Sequence, residues 1–313
     1  MIRSRRKPFL AALAGLAFVL AACGGGGSTS SGSSGTTGGK LTLAFKNFSE
    51  NSIMAQMTKI LLEKHGYTVT LKEIAGNASI RTGLETKQYD GYWEYVGTGL
   101  VDVNNITDPS IIGDVTKAVA KLNQLDSSKG IVWLDPAAKF NDPDVLVVKD
   151  TAKYGTTISQ LATYLKANPS TKLCLQSEFL TRPAGLPALT AVYGFPPKDQ
   201  LQVTSEKESI ALQDVAAHPD RCEVAQGFGT DANIAALGLT ILKDDKKALP
   251  NDSLSLTMLK SVVDSHADLT GFIRKITDVF TTQDSIDLQK QIDVDKKDEV
   301  VVCTNYLKSK GII

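Results

Sequence analysis

The residues of this chain best suited to covalent or metal chemistry are its three histidines and four cysteines, and their spacing keeps them apart. His65, His218 and His266 are widely separated, each in a polar stretch with helical spacing. No cysteine–histidine group has the spacing that a zinc site needs. There is no Gly-x-Ser-x-Gly elbow, no phosphate-binding glycine loop, no dinucleotide glycine pattern and no His-Glu-x-x-His pair. The residues therefore point away from nucleophilic, metal-assisted and nucleotide-dependent catalysis, and the chain reads as a non-enzyme that needs no cofactor.

Cys23 belongs to a different chemistry. Arg3, Arg5, Arg6 and Lys7 form a basic patch, and an apolar run over 9–22 follows. The run has the length of a signal-peptide core and is too short to span a bilayer comfortably. It ends in Leu20-Ala21-Ala22-Cys23, small residues before a cysteine, the pattern that lipoprotein signal peptidase cuts. Residues 1–22 are thus the predicted signal peptide, and Cys23 is the predicted lipid attachment site through which the protein meets a membrane. Two or more acyl chains on one residue anchor firmly, at about 0.8 kcal/mol per buried CH₂. An ordinary secretory signal with an incidental cysteine is the alternative.

Cys174, Cys222 and Cys303 would then face an oxidising compartment. A disulfide between Cys174 and Cys222 is expected, both lying mid-chain, with Cys303 left as a spare thiol; three reduced, buried cysteines are the other possibility.

The elements that must position any site begin after a tether. Residues 24–39 are almost entirely Gly, Ser and Thr, a composition that has nothing apolar to bury and behaves as a flexible coil. The body over 40–313 suits two modest domains. Removing residues 1–22 takes four of the 34 basic residues and none of the 34 acidic ones, leaving a mildly acidic body. Nothing in that balance favours a nucleic acid partner.

Apolar runs at 41–45, 67–74, 131–134, 145–148, 172–175, 222–225 and 240–242 read as strands, and 89–96 leads back towards a sheet. Helical spacing marks 51–65, 79–88, 110–125, 158–167, 187–193, 208–218 and the start of one at 231–237. The tail from 256 onward reads as helical, over 261–280, 284–292 and 298–309. Such alternation predicts an α/β protein with parallel or mixed sheets flanked by helices.

At Phe45-Lys46-Asn47-Phe48-Ser49-Glu50-Asn51 and Tyr92-Trp93-Glu94-Tyr95-Val96-Gly97-Thr98 the chain resembles the glycine betaine/choline/carnitine (osmoprotectant) family of ABC-transporter substrate-binding proteins. Three later segments agree in order and spacing. They are residues 178–186 around Arg182, 227–232 around Phe228, and Leu242-Lys243-Asp244-Asp245-Lys246. The resemblance implies a two-lobed, periplasmic-binding-protein-like (type II) fold with a ligand cleft between lobes. Lobe 1 would take 40–142 and 249–313, lobe 2 would take 143–248, and 23–39 would be the tether. It further implies a small-molecule solute such as glycine betaine, choline or a related quaternary amine, with ABC permease subunits as partners.

A quaternary ammonium has no N–H to donate, so aromatic faces hold it, at roughly 0.5–2 kcal/mol each. A carboxylate at the other end needs charged or hydroxyl donors. By resemblance, Tyr95 and Phe228 fall on aromatic cage positions and Thr98 on a hydroxyl contact. Lys46 and Arg182 fall on carboxylate-binding positions. Read without the resemblance, Tyr95 and Phe228 could be core aromatics, Lys46 a solvated strand-end lysine and Arg182 half of a structural ion pair.

The cage departs from the family pattern. Asp144 stands where a tyrosine is usual, and Leu249-Pro250-Asn251-Asp252-Ser253 has no aromatic where another is expected. Phe228 replaces what is often tyrosine, and Ala184 replaces an acidic residue beside Arg182. Either Trp93, Tyr92 or Phe140 rebuilds the cage, with Asp144 attracting a cation, or the pocket suits an amine, a hydroxylated compound or an aromatic one. A surface sensor or adhesion module is the more distant alternative.

Overall fold

The computed structural model describes residues 38–313, so the predicted signal peptide, Cys23 and nearly all of the predicted tether lie outside the described residues. Ten strands follow in chain order: β1 (Lys40–Lys46), β2 (Thr68–Ile74), β3 (Gly91–Tyr95), β4 (Ile131–Trp133), β5 (Asp144–Val148), β6 (Lys172–Leu175), β7 (Gln202–Ser205), β8 (Val224–Phe228), β9 (Thr240–Ile241) and β10 (Leu254–Leu259). They form two five-stranded sheets, in the orders β2-β1-β3-β10-β4 and β7-β6-β8-β5-β9. Both are mixed: β1 runs parallel to β2 and β3, β6 runs parallel to β7 and β8, and β10 and β5 run antiparallel to their neighbours.

Burial follows each strand's place. Central β3, β5 and β10 are buried at every residue, whereas edge strand β2 buries Val69 alone. Helices cover both faces of the first sheet. Ile53, Met54, Met57 and Leu61 of the helix Ser49–Lys64 pack with Leu43, Trp93, Leu256 and Met258 on one face. Ile80 and Leu84 of the helix Asn77–Glu85 pack with Ala44 and Tyr92 on the other. The second sheet has its own two clusters, one around Leu146, Leu161 and Leu173, the other around Val147, Leu212 and Ala225.

Local signals explain where several helices begin and end. Ser49–Lys64 stops at Gly66, whose φ of 87° is costly for residues with a Cβ. The helix Ile158–Ala167 starts in a reciprocal capping box between Thr157 and Gln160. A disulfide joins Cys174 and Cys222, and Cys303 is a free, buried thiol.

Four elements differ from the sequence reading. The predicted helix over 110–125 is two, Pro109–Ile112 and Val115–Asp126, because Asp114 caps the second by accepting from the amides of Thr116 and Lys117. The predicted helix over 261–280 is likewise divided into Lys260–Ser265 and Leu269–Thr277. The tail from 256 does not start helical: β10 occupies 254–259, where Leu254, Leu256 and Met258 alternate with Ser255 and Thr257 between β3 and β4. Period-two alternation in a six-residue segment leading directly into a helix is easily absorbed into the helix, and the pairing partners decide it. β7, an exposed edge strand, was also absent from that reading.

Two chain crossings connect the sheets, and they lie side by side. The Asp142 amide donates to the Asp252 carbonyl (2.9 Å), and the Asp252 amide donates to Asn141 Oδ1 (2.7 Å). One crossing leads into β5 and the other into β10, the two strands that run antiparallel to their neighbours.

Candidate functional site

A cavity of about 350 Å³ opens at the edge where the two sheets face each other. It lies at the carboxyl ends of the parallel strands, the usual crevice for ligands in open α/β sheets. Lys46 closes β1, Tyr95 closes β3, Phe228 closes β8, and Gln176 to Phe179 follow β6. Antiparallel β5 reaches the same edge at its start, so Asp144 is paired in register with Phe228. The two crossings complete the wall with Asp142 and Asp252. Lys46, Tyr95, Thr98, Arg182 and Phe228, singled out by resemblance, and Asp144, singled out as a departure from the family pattern, all line this one cavity.

Gly97 lets the wall close. A Cβ there would sit 2.5 Å from Asp252 Oδ1 and 2.9 Å from the Asn251 carbonyl. Its absence lets Asp252 reach the next residue, accepting from the Thr98 amide (3.1 Å) and hydroxyl (3.3 Å).

Carboxylates dominate the charge of the site. Lys46 is buried, at 5% exposure, and its ammonium is bonded to the buried Glu94 carboxylate. The solvated-lysine reading therefore fails. Asn51 fixes the strand end there, accepting from the Lys46 amide (2.8 Å) and donating to the Trp93 carbonyl (2.9 Å). Arg182 is bonded to Asp144 and lies 3.4 Å from Asp102, whose other oxygen accepts from the Ala184 amide (3.0 Å). Burial works against the guanidinium's charge, but Asp144 and then Asp102 outweigh it and raise its pKa. Gln226 steadies the second oxygen of Asp144 (2.9 Å).

Against these two occupied cations stand Asp142, Glu178 and Asp252 on the same wall. Burial, then the neighbouring Glu50, pushes the Asp142 carboxyl well above the usual range. Asp252 is pushed well above it too, by burial and then by Asp144. An entering cation favours the ionised form of both.

Three aromatic rings form a row. Phe48 stacks on Tyr95 (centroids 6.2 Å, 28°) and on Phe228 (5.4 Å, 26°). Lys46 Nζ lies 5.1 Å from the Tyr95 ring centroid, an internal cation–π contact. The Tyr95 hydroxyl donates to Glu50 (2.5 Å), which also accepts from Thr230 (2.6 Å) and Ser285. Tyr95 thus packs in the core of the first half and lines the cavity as well.

Trp93, Tyr92 and Phe140 do not rebuild the cage. Each is buried in a core cluster of the first half and none lines the cavity. The ring that joins Tyr95 and Phe228 is Phe48, which sequence reasoning missed although it sits inside the quoted segment around Lys46. Asp142, Asp252 and Glu178 were missed as well. Their approach to the site depends on the crossings and on a contact across the cleft, where Glu178 accepts from the Asn77 amide at a helix start (2.9 Å).

Among the described residues no group of histidine, cysteine and carboxylate side chains is arranged to hold a metal ion, and no helix is long and apolar enough to cross a membrane.

Comparison with known proteins agrees with this architecture. The chain is 27% identical to the glycine betaine-binding protein YehZ of Escherichia coli K12 over 84% of this chain and 88% of that one. It is 26% identical to a glycine-betaine-binding protein of Pseudomonas aeruginosa, over 87% and 88% respectively. A solved structure described as a glycine betaine/carnitine/choline ABC transporter superposes with a TM-score of 0.66 at 23% identity, covering 87% of this chain and 99% of that chain, and shares the fold. These relatives are solute-binding proteins of ABC transporters rather than enzymes, and they work outside the cytoplasm. The family described as the substrate binding domain of the ABC-type glycine betaine transport system matches residues 39–309, and the chain belongs to it.

Proposed function

We propose that this protein is the extracytoplasmic receptor of an ABC importer. It is tethered to the membrane through lipid on Cys23, and it holds a small osmoprotectant-like solute of the glycine betaine or choline type between two lobes. The lobes are residues 40–142 with 249–313, and residues 143–248. The observation that carries this reading is one cavity whose wall is shared by both sheets and contains the five residues that follow the family pattern, Lys46, Tyr95, Thr98, Arg182 and Phe228, together with Asp144. Its two cations are already paired with carboxylates, and further carboxylates remain, so the solute presents a positively charged head. Contacts made by both walls to one solute stabilise the closed arrangement, the form a permease can distinguish from the empty one.

A second reading, in which the solute is an amine that is not quaternary, is favoured by the filled faces of the aromatic row.

The test is a melting-temperature panel of glycine betaine, proline betaine, choline, carnitine and less substituted amines, with mass spectrometry of each mixture. A solute at a hundred times its dissociation constant adds about 2.7 kcal/mol of stability. The expected result is a clear upward shift by at least one amine and no consumption of it. Silence across the panel, or turnover of a solute, overturns the reading.

A further inference from the structure

Beside the solute cavity lies a second one of about 390 Å³. Asp142 lines both cavities, and Glu50 lines the second. On the basis of the receptor reading above, we propose that these two carboxyls hold one shared proton between the two halves and that closure around the solute takes that proton up. The proton is then a second ligand of the receptor, bound at a site of its own.

Both side chains are 2% exposed. Glu50 lies in the first turn of the helix Ser49–Lys64, Asp142 lies on a crossing, and their carboxyls are hydrogen-bonded to each other. Such a bond needs a proton on one of the two. The other partners of the pair are donors already committed: Glu50 accepts from the hydroxyls of Tyr95 (2.5 Å), Thr230 (2.6 Å) and Ser285, and Asp142 Oδ1 accepts from the Thr230 amide (2.9 Å). Asp142 Oδ2 receives no donor, as an oxygen that carries the proton itself requires none. Two buried carboxyls in contact cannot both ionise, and they titrate as one unit. Burial is the first cause that raises both.

Thr230 ties this proton to closure. It follows β8 of the second sheet, whereas Tyr95 closes β3 of the first and Ser285 and Gln289 lie on the helix Thr282–Gln289. Gln289 Nε2 donates to the Thr230 carbonyl (3.0 Å) and hydroxyl (3.1 Å). A parting of about 1 Å at Thr230 takes its bond to Glu50 past hydrogen-bonding range. Water then reaches the pair from the second cavity, and a solvated pair gives up its proton at lower pH than a buried one. Tyr95, Lys46 and Asp252 face the pair from the first half, Lys207, Glu208 and Asp231 from the second, and Asp293 and Lys296 from the segment after Gln289. Carboxyls predominate among these, which favours keeping the proton. A cationic solute favours charge on Asp142; the proton then lies on Glu50, and the pair retains it. Between the open-form and closed-form values, affinity therefore falls as pH rises, by up to about tenfold per pH unit. Below both values it is flat.

The experiment is calorimetric titration of the full-length protein with choline and with glycine betaine, in buffers of different ionisation enthalpy. Neither solute titrates between about pH 5.5 and pH 8.5. The expected result is net uptake of up to about one proton on binding, with affinity falling as pH rises. Glu50→Gln, which keeps an acceptor for Tyr95 and offers an amide to Asp142, is expected to abolish both effects, and so is Asp142→Asn. Flat affinity without uptake overturns the inference and leaves the receptor reading standing. So does uptake that persists in either folded variant. If neither variant folds, the proton count of the unmodified protein decides. If neither solute binds, the proposed solute class fails, and X-ray scattering of the solute-free protein decides the inference. A smaller radius of gyration at about pH 5.5 than at about pH 8.5 supports it, and an equal radius overturns it.

Discussion

Arg182 shows how a residue's role can be read in part from the chain and only completed in space. Its segment places it in the cavity, but the partners that fix it, Asp144 and Asp102, are 38 and 80 residues away. Both are largely buried, with side chains 5% and 9% exposed. Removing the guanidinium leaves two buried carboxylates without a counter-charge, and breaking such a pair costs roughly 3–5 kcal/mol. Arg182→Ala is therefore expected to lower the unfolding free energy by that amount, read as a lower urea midpoint, together with the loss of solute binding. Unchanged stability would show that the ion pairs are not formed in solution. Lys46 follows the same logic. The motif marks its position, whereas its bond to Glu94 depends on β1 and β3 lying side by side. What the chain marked at this scale is a set of positions, Lys46, Tyr95, Thr98, Asp144, Arg182 and Phe228, that share one cavity wall. What was not legible is Phe48, Asp142 and Asp252, because nothing local in the sequence announces which loop residues a crossing will bring to a wall.

Among the elements, β10 is the most instructive. It arrives in the first sheet from the far side of the second, and it lies between β3 and β4 with all six residues buried. Its alternating pattern suits a strand, yet its neighbours in space, around 93 and 132, are more than a hundred residues away in the chain. Strands whose partners follow closely, such as β1 and β2, were legible by length and apolar content; β10 and the exposed β7 were not, since one merges with a following helix and the other buries little. Leu256 is fully buried in the largest cluster, so Leu256→Ala is expected to cost about 2–5 kcal/mol. Chemical denaturation measures this; a loss under about 1 kcal/mol would show that the strand is not a fixed part of the core.

For the molecule as a whole, the carboxyls of the cleft give stability a direction with pH. Asp142, Asp252 and Glu208 are held well above their ordinary values, chiefly by burial, and Glu50 is raised for the same main reason. The native state therefore binds protons that the unfolded chain releases above its ordinary carboxyl values of 3.8 and 4.5. Their contribution is complete below that range and is lost as pH rises through the native values. Asp126 acts in the opposite sense. Burial there is outweighed by Arg81 and Trp133, so its contribution is lost as pH falls. Calorimetry of the solute-free protein between about pH 5 and pH 8 should show a declining melting temperature, and Asp142→Asn should flatten the decline. An identical slope in the variant would mean that Asp142 does not titrate in this window.

The paired crossings carry a mechanical consequence. In the closure proposed above, the paired crossings that carry Asp142 and Asp252 are the fulcrum and move least, whereas the contact of Glu178 with the Asn77 amide joins the two halves away from them. Carboxyls at the fulcrum of that proposed closure keep nearly the same spacing whether the jaws are apart or together. On that proposal, the wall formed by the crossings meets the solute in the same shape before and after closure, while substitutions at the Glu178–Asn77 contact change how long a captured solute is retained.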